Sequence, residues 1–250
     1  MTGGPVLLVG GNEFLPGNEP HDLRFAAAAA DGRTYLIAAA AARQDPDRAV
    51  RTASRWFGAL GLEVEELPLR TRRQANDPKI AAAAAGGRAF YLCGGDPGLV
   101  VATLRDTAAW DAIVAAWRRG AAIAGSSAGA MALGQWTLLR ARRPGDRDRR
   151  YAPALGLVPA VVVVPHLDEF GKSWLPSAAD GRPDPDTIIV GIDARTAAVW
   201  WPGRGRGWSA MGIGAVEIVT PNARRRVAAG HRVTGLRRPN PIRRPGTSPR

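Results

Sequence analysis

A chain of 250 residues with 46% apolar content is long enough to bury a sizeable α/β core. One cysteine, Cys93, excludes an internal disulfide framework and a cysteine-based zinc site, and no segment approaches the ~20 apolar residues of a membrane helix. The net charge of +12 is concentrated late: nine arginines and no acid follow Glu217, which leaves the body of the chain nearly balanced.

The opening, MTGGPVLLVGGNEF, lacks the basic flank and the apolar length of a signal peptide, so the chain is read as cytoplasmic. PVLLVGG (5–11) predicts a buried strand running into a glycine loop, and RTYLIAAAA (33–41) predicts a second. DPDRAVRTASRWFGALGL (45–62) has Pro46 near a helix start, helically spaced apolar residues and Gly61 as a stop. EVEELPL (63–69) alternates as a third strand, and DPKIAAAAAGG (77–87) repeats the Asp-Pro start and glycine stop of a helix. RAFYLCGG (88–95) is a fourth strand ending in glycines; 99–120 is helical, in one piece or two; AAIAG (121–125) is a fifth strand before a helix that begins AGAMALG. Strands alternating with helices imply right-handed crossovers and an α/β fold, a mostly parallel sheet flanked by helices on both faces.

RARRPGDRDRR (140–150) reads as an exposed loop, and beyond it helices thin out. AVVVVP (160–165), TIIVGID (187–193), TAAVWW (196–201) and AVEIVT (215–220) are expected as C-terminal strands that extend or edge the same sheet. The organisation expected is a single α/β domain over 1–235 and a disordered basic tail over 236–250. Weak electrostatic contact is the most that tail implies, so neither a specific nucleic acid nor a membrane is expected as partner. Of eight tryptophans, Trp174, Trp200, Trp201 and Trp208 fall late and are assigned to core and interface, which admits a homodimer.

The chemistry begins in AAIAGSSAGAMALG (121–134). Gly125-Ser126-Ser127-Ala128-Gly129 matches G-x-S-x-G between a predicted strand and a predicted helix, the context of a nucleophile elbow with Ser127 at its centre. The five-residue pattern alone fits an ordinary turn with a helix-capping serine equally well. A nucleophile needs a base, and the chain has three histidines. His166 follows VVVVP at a strand end and is preferred to His21, in the loop after the first strand; His231 precedes the basic tail. Cys93-Gly94-Gly95-Asp96 ends another strand, and the N–H groups of Gly95 and Ala128 could form an oxyanion hole. Asp96, Glu13 and Ser126 are expected beside the substrate. His21 and Asp22 with Glu13 and Glu19 fit no metal-ligand spacing, so no metal or organic cofactor is expected.

Taken in order, YLCGGD, AGSSAGA and VVPH resemble the serine peptidases that include dipeptidase E and cyanophycinase, built on the class I glutamine-amidotransferase-like fold. GGNEF, GIDART (191–196) and AVEIVTPNARRRVAAG are similar as well, so the resemblance runs from about residue 5 to residue 235. It implies a serine-type, dipeptidase-like hydrolase that cleaves small peptides or peptide-like amides through an acyl-enzyme. Ser127 would be nucleophile, His166 base, and Gly95 and Ala128 the oxyanion-hole residues. It also implies an acid after the serine, where Asp146 and Asp148 stand among arginines; Asp146 ranks first. Three positions depart from the family pattern. Pro97 replaces a substrate-binding glutamine, and Ala194 stands where an acid is usual. PHLDEFGKSWLP offers Lys172 as its one base beside Asp168 and Glu169. These departures motivate the alternative, a catalytically weak or inactive relative that binds or regulates.

Overall fold

The structure, a computed structural model, describes residues 3–29, 32–140, 149–203 and 207–241. In chain order its elements are β1 (Val6–Val9), α1 (Glu19–Ala29), β2 (Thr34–Ile37), α2 (Pro46–Ala59), β3 (Glu65–Glu66), α3 (Arg72–Ala75), α4 (Pro78–Ala85), β4 (Ala89–Leu92), α5 (Pro97–Leu104), α6 (Ala108–Arg118), β5 (Ala122–Ser126), α7 (Ala128–Leu133), β6 (Gly134–Arg140), β7 (Arg149–Pro153), β8 (Val158–Val164), α8 (Leu175–Asp180), β9 (Ile188–Ile192), β10 (Thr196–Trp201), β11 (Gly207–Gly212), β12 (Ala215–Val219), β13 (Arg224–Ala228) and β14 (Arg232–Val233). The Asp-Pro steps start helices for a stated reason. Asp45, Asp77 and Asp96 each accept backbone N–H bonds from the turn they open, while the proline behind each lacks the N–H that a first turn would leave unpaired. The region 99–120 is two helices, parted at Arg105 and restarted by the Thr107 side chain, which accepts from Trp110 N.

Eight strands form the first sheet in the order β14-β11-β10-β1-β5-β4-β2-β3, parallel from β1 to β3 and antiparallel from β1 out to β14. Period-two alternation sends its side chains into two cores. Leu7, Val9, Leu36 and Tyr91 meet Phe25 of α1 and Phe57 of α2, whereas Val6, Leu8, Ile37 and Leu92 face α5, α6 and α7. The strand expected over 63–69 shrinks to the two residues of β3 at the sheet edge.

The late strands divide where one sheet was expected. TAAVWW does extend the first sheet, as β10, but AVVVVP, TIIVGID and AVEIVT become β8, β9 and β12 of a second sheet, in the order β13-β12-β9-β8-β6-β7. That sheet packs on the far side of α7, and Ala178 of α8 is buried in the same core. Burial on both faces explains the unbroken valines of β8. Trp200 and Trp208 are core residues, with ring centroids 5.9 Å apart. The second half of 140–150 includes the start of β7, and 141–148 lie outside the described residues.

The body also runs past the expected boundary at 235. Trp208 Nε1 donates to Arg237 O at 2.9 Å, Asn240 N to Leu157 O at 3.0 Å, and Arg237 pairs with Asp186 at 2.8 Å. Residues 242–250 of the expected tail lie outside the described residues. No described helix is long and apolar enough to cross a membrane.

Helix α1 carries a buried polar pair. His21 and Asp22 are both fully buried, with Nε2 and Oδ1 3.8 Å apart. His21 Nε2 meets Asn18 Oδ1 at 3.1 Å, and Trp56 Nε1 donates to Asp22 Oδ2 at 2.8 Å. Burial pushes the His21 pKa down from 6.5 to about 4 against the pull of Glu19. Burial pushes Asp22 up from 3.8 to about 7; the Trp56 hydrogen bond opposes this, and Glu13 and Glu19 add to it. Folded Asp22 therefore keeps a proton that the unfolded chain releases, and its contribution to stability falls as pH rises from 3.8 to about 7. His21 works in the other direction, losing stability as pH falls from 6.5 to about 4, so the two offset each other across the overlap. Asp22→Asn keeps an acceptor for Trp56 and removes only the first effect. Its stability relative to wild type is expected to rise by on the order of 2 kcal/mol between about pH 5 and about pH 8. Urea unfolding at both pH values measures this, and a pH-independent difference would show that Asp22 stays ionised in the fold.

Candidate active site

Ser127 follows β5 and precedes α7 with φ 48° and ψ −111°, a conformation that non-glycine residues seldom adopt. Small neighbours make the sharp turn feasible. A Cβ on Gly125 would lie 2.6 Å from the Gly129 backbone, and one on Gly129 would lie 2.3 Å from Leu92 O. The turn is fixed at both ends, by Ser127 N donating to Val9 O and by Met131 N donating to Ser127 O, each at 2.9 Å. Its product is a half-buried Oγ at the carboxyl edge of the first sheet.

His166 reaches that edge from the second sheet. It follows β8 with φ 48°, and its N–H donates to Gly10 O at 2.7 Å. Adjacent carbonyls at the end of β1 thus hold the serine and the histidine, Val9 the one and Gly10 the other. His166 Nε2 lies 3.2 Å from Ser127 Oγ. On the other side of the ring, Nδ1 meets Glu169 Oε2 at 2.9 Å. A carboxylate only accepts, so this contact calls for the proton on Nδ1; in the neutral ring Nε2 is then the acceptor for the serine hydroxyl. Phe170 stacks on the imidazole at 4.7 Å and 25°, and Trp174 packs on Phe170 at 5.3 Å. Gly11 closes the remaining side: a Cβ there would stand 2.1 Å from Nε2, and its φ of 111° favours glycine in any case.

In the register of β4 beside β5, Leu92 pairs with Gly125, so the Gly94-Gly95 and Ser127-Ala128 turns follow neighbouring parallel strands at the same sheet edge. Gly95 is exposed with φ 139°, a Cβ on it would strike Ala40 O, and its N–H has no partner among the described residues. Ala128 is the first residue of α7, where N–H groups have no partner within the helix. Glu13 ties the strand ends together: Oε1 accepts from Gly94 N at 2.9 Å and Oε2 from Ser126 Oγ at 2.8 Å. Asp96 caps α5 by accepting from Gly98 N at 2.7 Å. Burial pushes the Cys93 thiol far up, helped by Glu13 and Glu66, so this cysteine is an inert core residue.

The structure brings together Ser127, His166, Gly95, Ala128, Glu13 and Ser126. His21 stands apart as a buried partner of Asn18. Asp146 and Asp148 lie outside the described residues. Among the described residues, no three His, Cys, Asp or Glu side chains gather as a metal site would need. Glu169 and Asn12 escaped the sequence reading. Asn12 Nδ2 donates to Glu169 Oε1 at 2.7 Å, a contact across 157 positions that no local pattern announces. The i+3 spacing of Glu169 from His166 was a signal, but an acid in that segment reads equally well as pocket charge. Asp168, the other acid there, accepts from Ala194 N at 2.8 Å.

The family model of peptidase family S51 matches residues 6–199. Cyanophycinases of Trichormus variabilis and of a Nostoc species are each 30% identical over 224 residues, covering 86% of this chain and 73% of theirs. Among solved structures, a peptidase from an acI-B1 Actinobacterium superposes with a TM-score of 0.78 at 28% identity, covering 93% of this chain and 97% of that one. A putative peptidase E protein from Listeria monocytogenes shares the fold at a TM-score of 0.58 and 14% identity, over 91% of this chain and all of that one.

Because Gly11 leaves no room for a Cβ, Gly11→Ala is expected to push the His166 ring out of reach of Ser127. The rate at which a fluorophosphonate labels Ser127 should fall by about 100-fold, the scale on which a displacement of ~1 Å acts. Far-UV circular dichroism should remain native, and a folded variant that labels at the wild-type rate would refute the confinement.

Proposed function

The chain belongs to peptidase family S51, a family of serine-type peptidases, and from that premise we propose that it cleaves small peptides or peptide-like amides through an acyl-enzyme on Ser127. The observation that carries this reading is the 3.2 Å contact between Ser127 Oγ at a strained elbow and Nε2 of His166.

Ser127 Oγ attacks the substrate carbonyl as its proton passes to His166 Nε2. The oxyanion is received by the N–H groups of Gly95 and Ala128, in the turns that follow the paired strands β4 and β5. His166 gives the proton to the leaving amine, the C–N bond breaks, and an ester remains on Ser127. Water, deprotonated by His166, then cleaves the ester, releasing a carboxylic acid and restoring the serine. Glu13 serves by fixing Gly94 and Ser126 at the pocket floor, and Asp96 by holding the loop that presents Gly95. The residues that follow Pro165-His166 bear on substrate choice. Asp168 and Glu169 hold protein groups, and exposed Lys172, with no charged partner among the described residues, is the charge of that segment proposed to meet substrate. The chain is proposed to work in the cytoplasm.

Intact mass after fluorophosphonate treatment is expected to show one adduct, absent from Ser127→Ala, strongly slowed in His166→Ala and unchanged in His21→Ala. A dipeptide library then identifies the bond. A folded wild-type protein that takes no adduct would leave the binding or regulatory role as the better account.

A further inference from the structure

The imidazole of His166 is held on every side but one. Gly10 fixes its backbone, Gly11 and Phe170 confine its ring, and Ser127 occupies Nε2. What remains is the group that keeps the proton on Nδ1, and among the described residues that group comes from the histidine's own turn. The positive φ of His166 folds the chain back, Glu169 N and Gly171 N both donate to His166 O, and the side chain three residues on is delivered to Nδ1 at 2.9 Å.

A carboxylate in that position has a weakness. The Glu169 side chain is 43% exposed, so water competes for its hydrogen bond to Nδ1, and an unbraced glutamate samples many rotamers. The structure supplies a brace. Asn12, itself at φ 53°, donates Nδ2 to Glu169 Oε1 at 2.7 Å, so the two carboxylate oxygens are divided between His166 and Asn12. Asn12 is anchored in turn: its carbonyl accepts from Nδ2 of Asn18 at 2.8 Å, and Asn18 is fully buried, sharing the same amide with Leu15 O. Neutral Asn12 satisfies the carboxylate without the like-charge repulsion that an acid would bring.

We infer that Glu169 is the positioning carboxylate of His166 and that Asn12 is the residue that holds Glu169 in that role. The inference rests on the acyl-enzyme reading and goes beyond it, since it assigns to the turn after the histidine a task expected of an acid in the 140–150 segment.

Two readouts test it. In 15N-histidine-labelled wild-type protein, the His166 nitrogens should report a protonated Nδ1 and a bare Nε2. Glu169→Gln, whose amide can donate to Nδ1, should shift the population toward the Nε2–H tautomer. The same variant should slow fluorophosphonate labelling by about 100-fold, below the ~10⁴-fold of a fully buried relay acid because Glu169 is partly exposed. Glu169→Asp should restore part of the rate. Asn12→Gly, which tolerates the positive φ and removes only the amide, should slow labelling by about 3- to 10-fold with the same tautomer shift, smaller in extent. Unchanged tautomer and rate in Glu169→Gln, with a large loss in Asp146→Ala, would overturn the assignment to Glu169. An unchanged Asn12→Gly would overturn the brace. Failure of the wild type to label would instead remove the acyl-enzyme reading, and the tautomer measurement would still decide where Glu169 acts.

Discussion

Nucleophile and base stand on different sheets, and the end of β1 is where the sheets are tied. Val9 O accepts the N–H of Ser127, Gly10 O accepts the N–H of His166, and Gly10 N donates to Thr196 O at 2.8 Å. A Cβ on Gly10 would lie 2.0 Å from Asp193 O, so the end of β1 and the backbone after β9 meet at a distance only glycine permits. The separation of Oγ and Nε2 therefore depends on two successive peptide groups rather than on the long loops that connect the elements. Backbone hydrogen bonds are stiffer references than side-chain packing, which suits a contact whose geometry must hold within fractions of an ångström.

Holding those groups in place requires unfavourable backbone. Asn12, Ser127, His166 and Arg195 all have φ near 50°, at a cost of about 1–3 kcal/mol for each residue so held. The compensation is local and visible: each strained residue is bounded by a backbone hydrogen bond, a carboxylate or a stacked ring. Positive φ also occurs away from the site, at Asp106 between α5 and α6 and at Ala160 within β8, where the β6–β8 register shifts.

Much of this was legible in the sequence, and the limits have physical causes. The first five strands, the Asp-Pro helix starts and the elbow are local features, each specified by residues within one turn. The second sheet was not, because the valine run of β8 is buried on both faces and reads alike in either sheet. Helix α1 was missed because EPHDLRFAAAA buries His21 and Asp22 alongside Phe25, which blurs the apolar stripe. The partition of the late arginines was hidden too. Arg224 pairs with buried Glu217 at 2.5 Å and Arg226 with buried Asp193, so part of what reads as a basic end is balanced by acids from earlier strands. Ser127 and His166 were readable from strand ends; Glu169 required knowing that His166 turns back on itself.

The loop from Gly10 to Asn18 contributes no nucleophile and no base, yet its bonds reach every part of the site: Gly10 to His166, Asn12 to Glu169, and Glu13 to both Gly94 and Ser126. Phe14 packs its ring against Phe57 and Tyr91 beneath the same loop. Contacts that share one short segment are suited to open as one cooperative unit. Transient release of that segment would uncouple base, relay carboxylate and pocket floor in one event, so the competent population is set by a single opening equilibrium rather than by several independent ones.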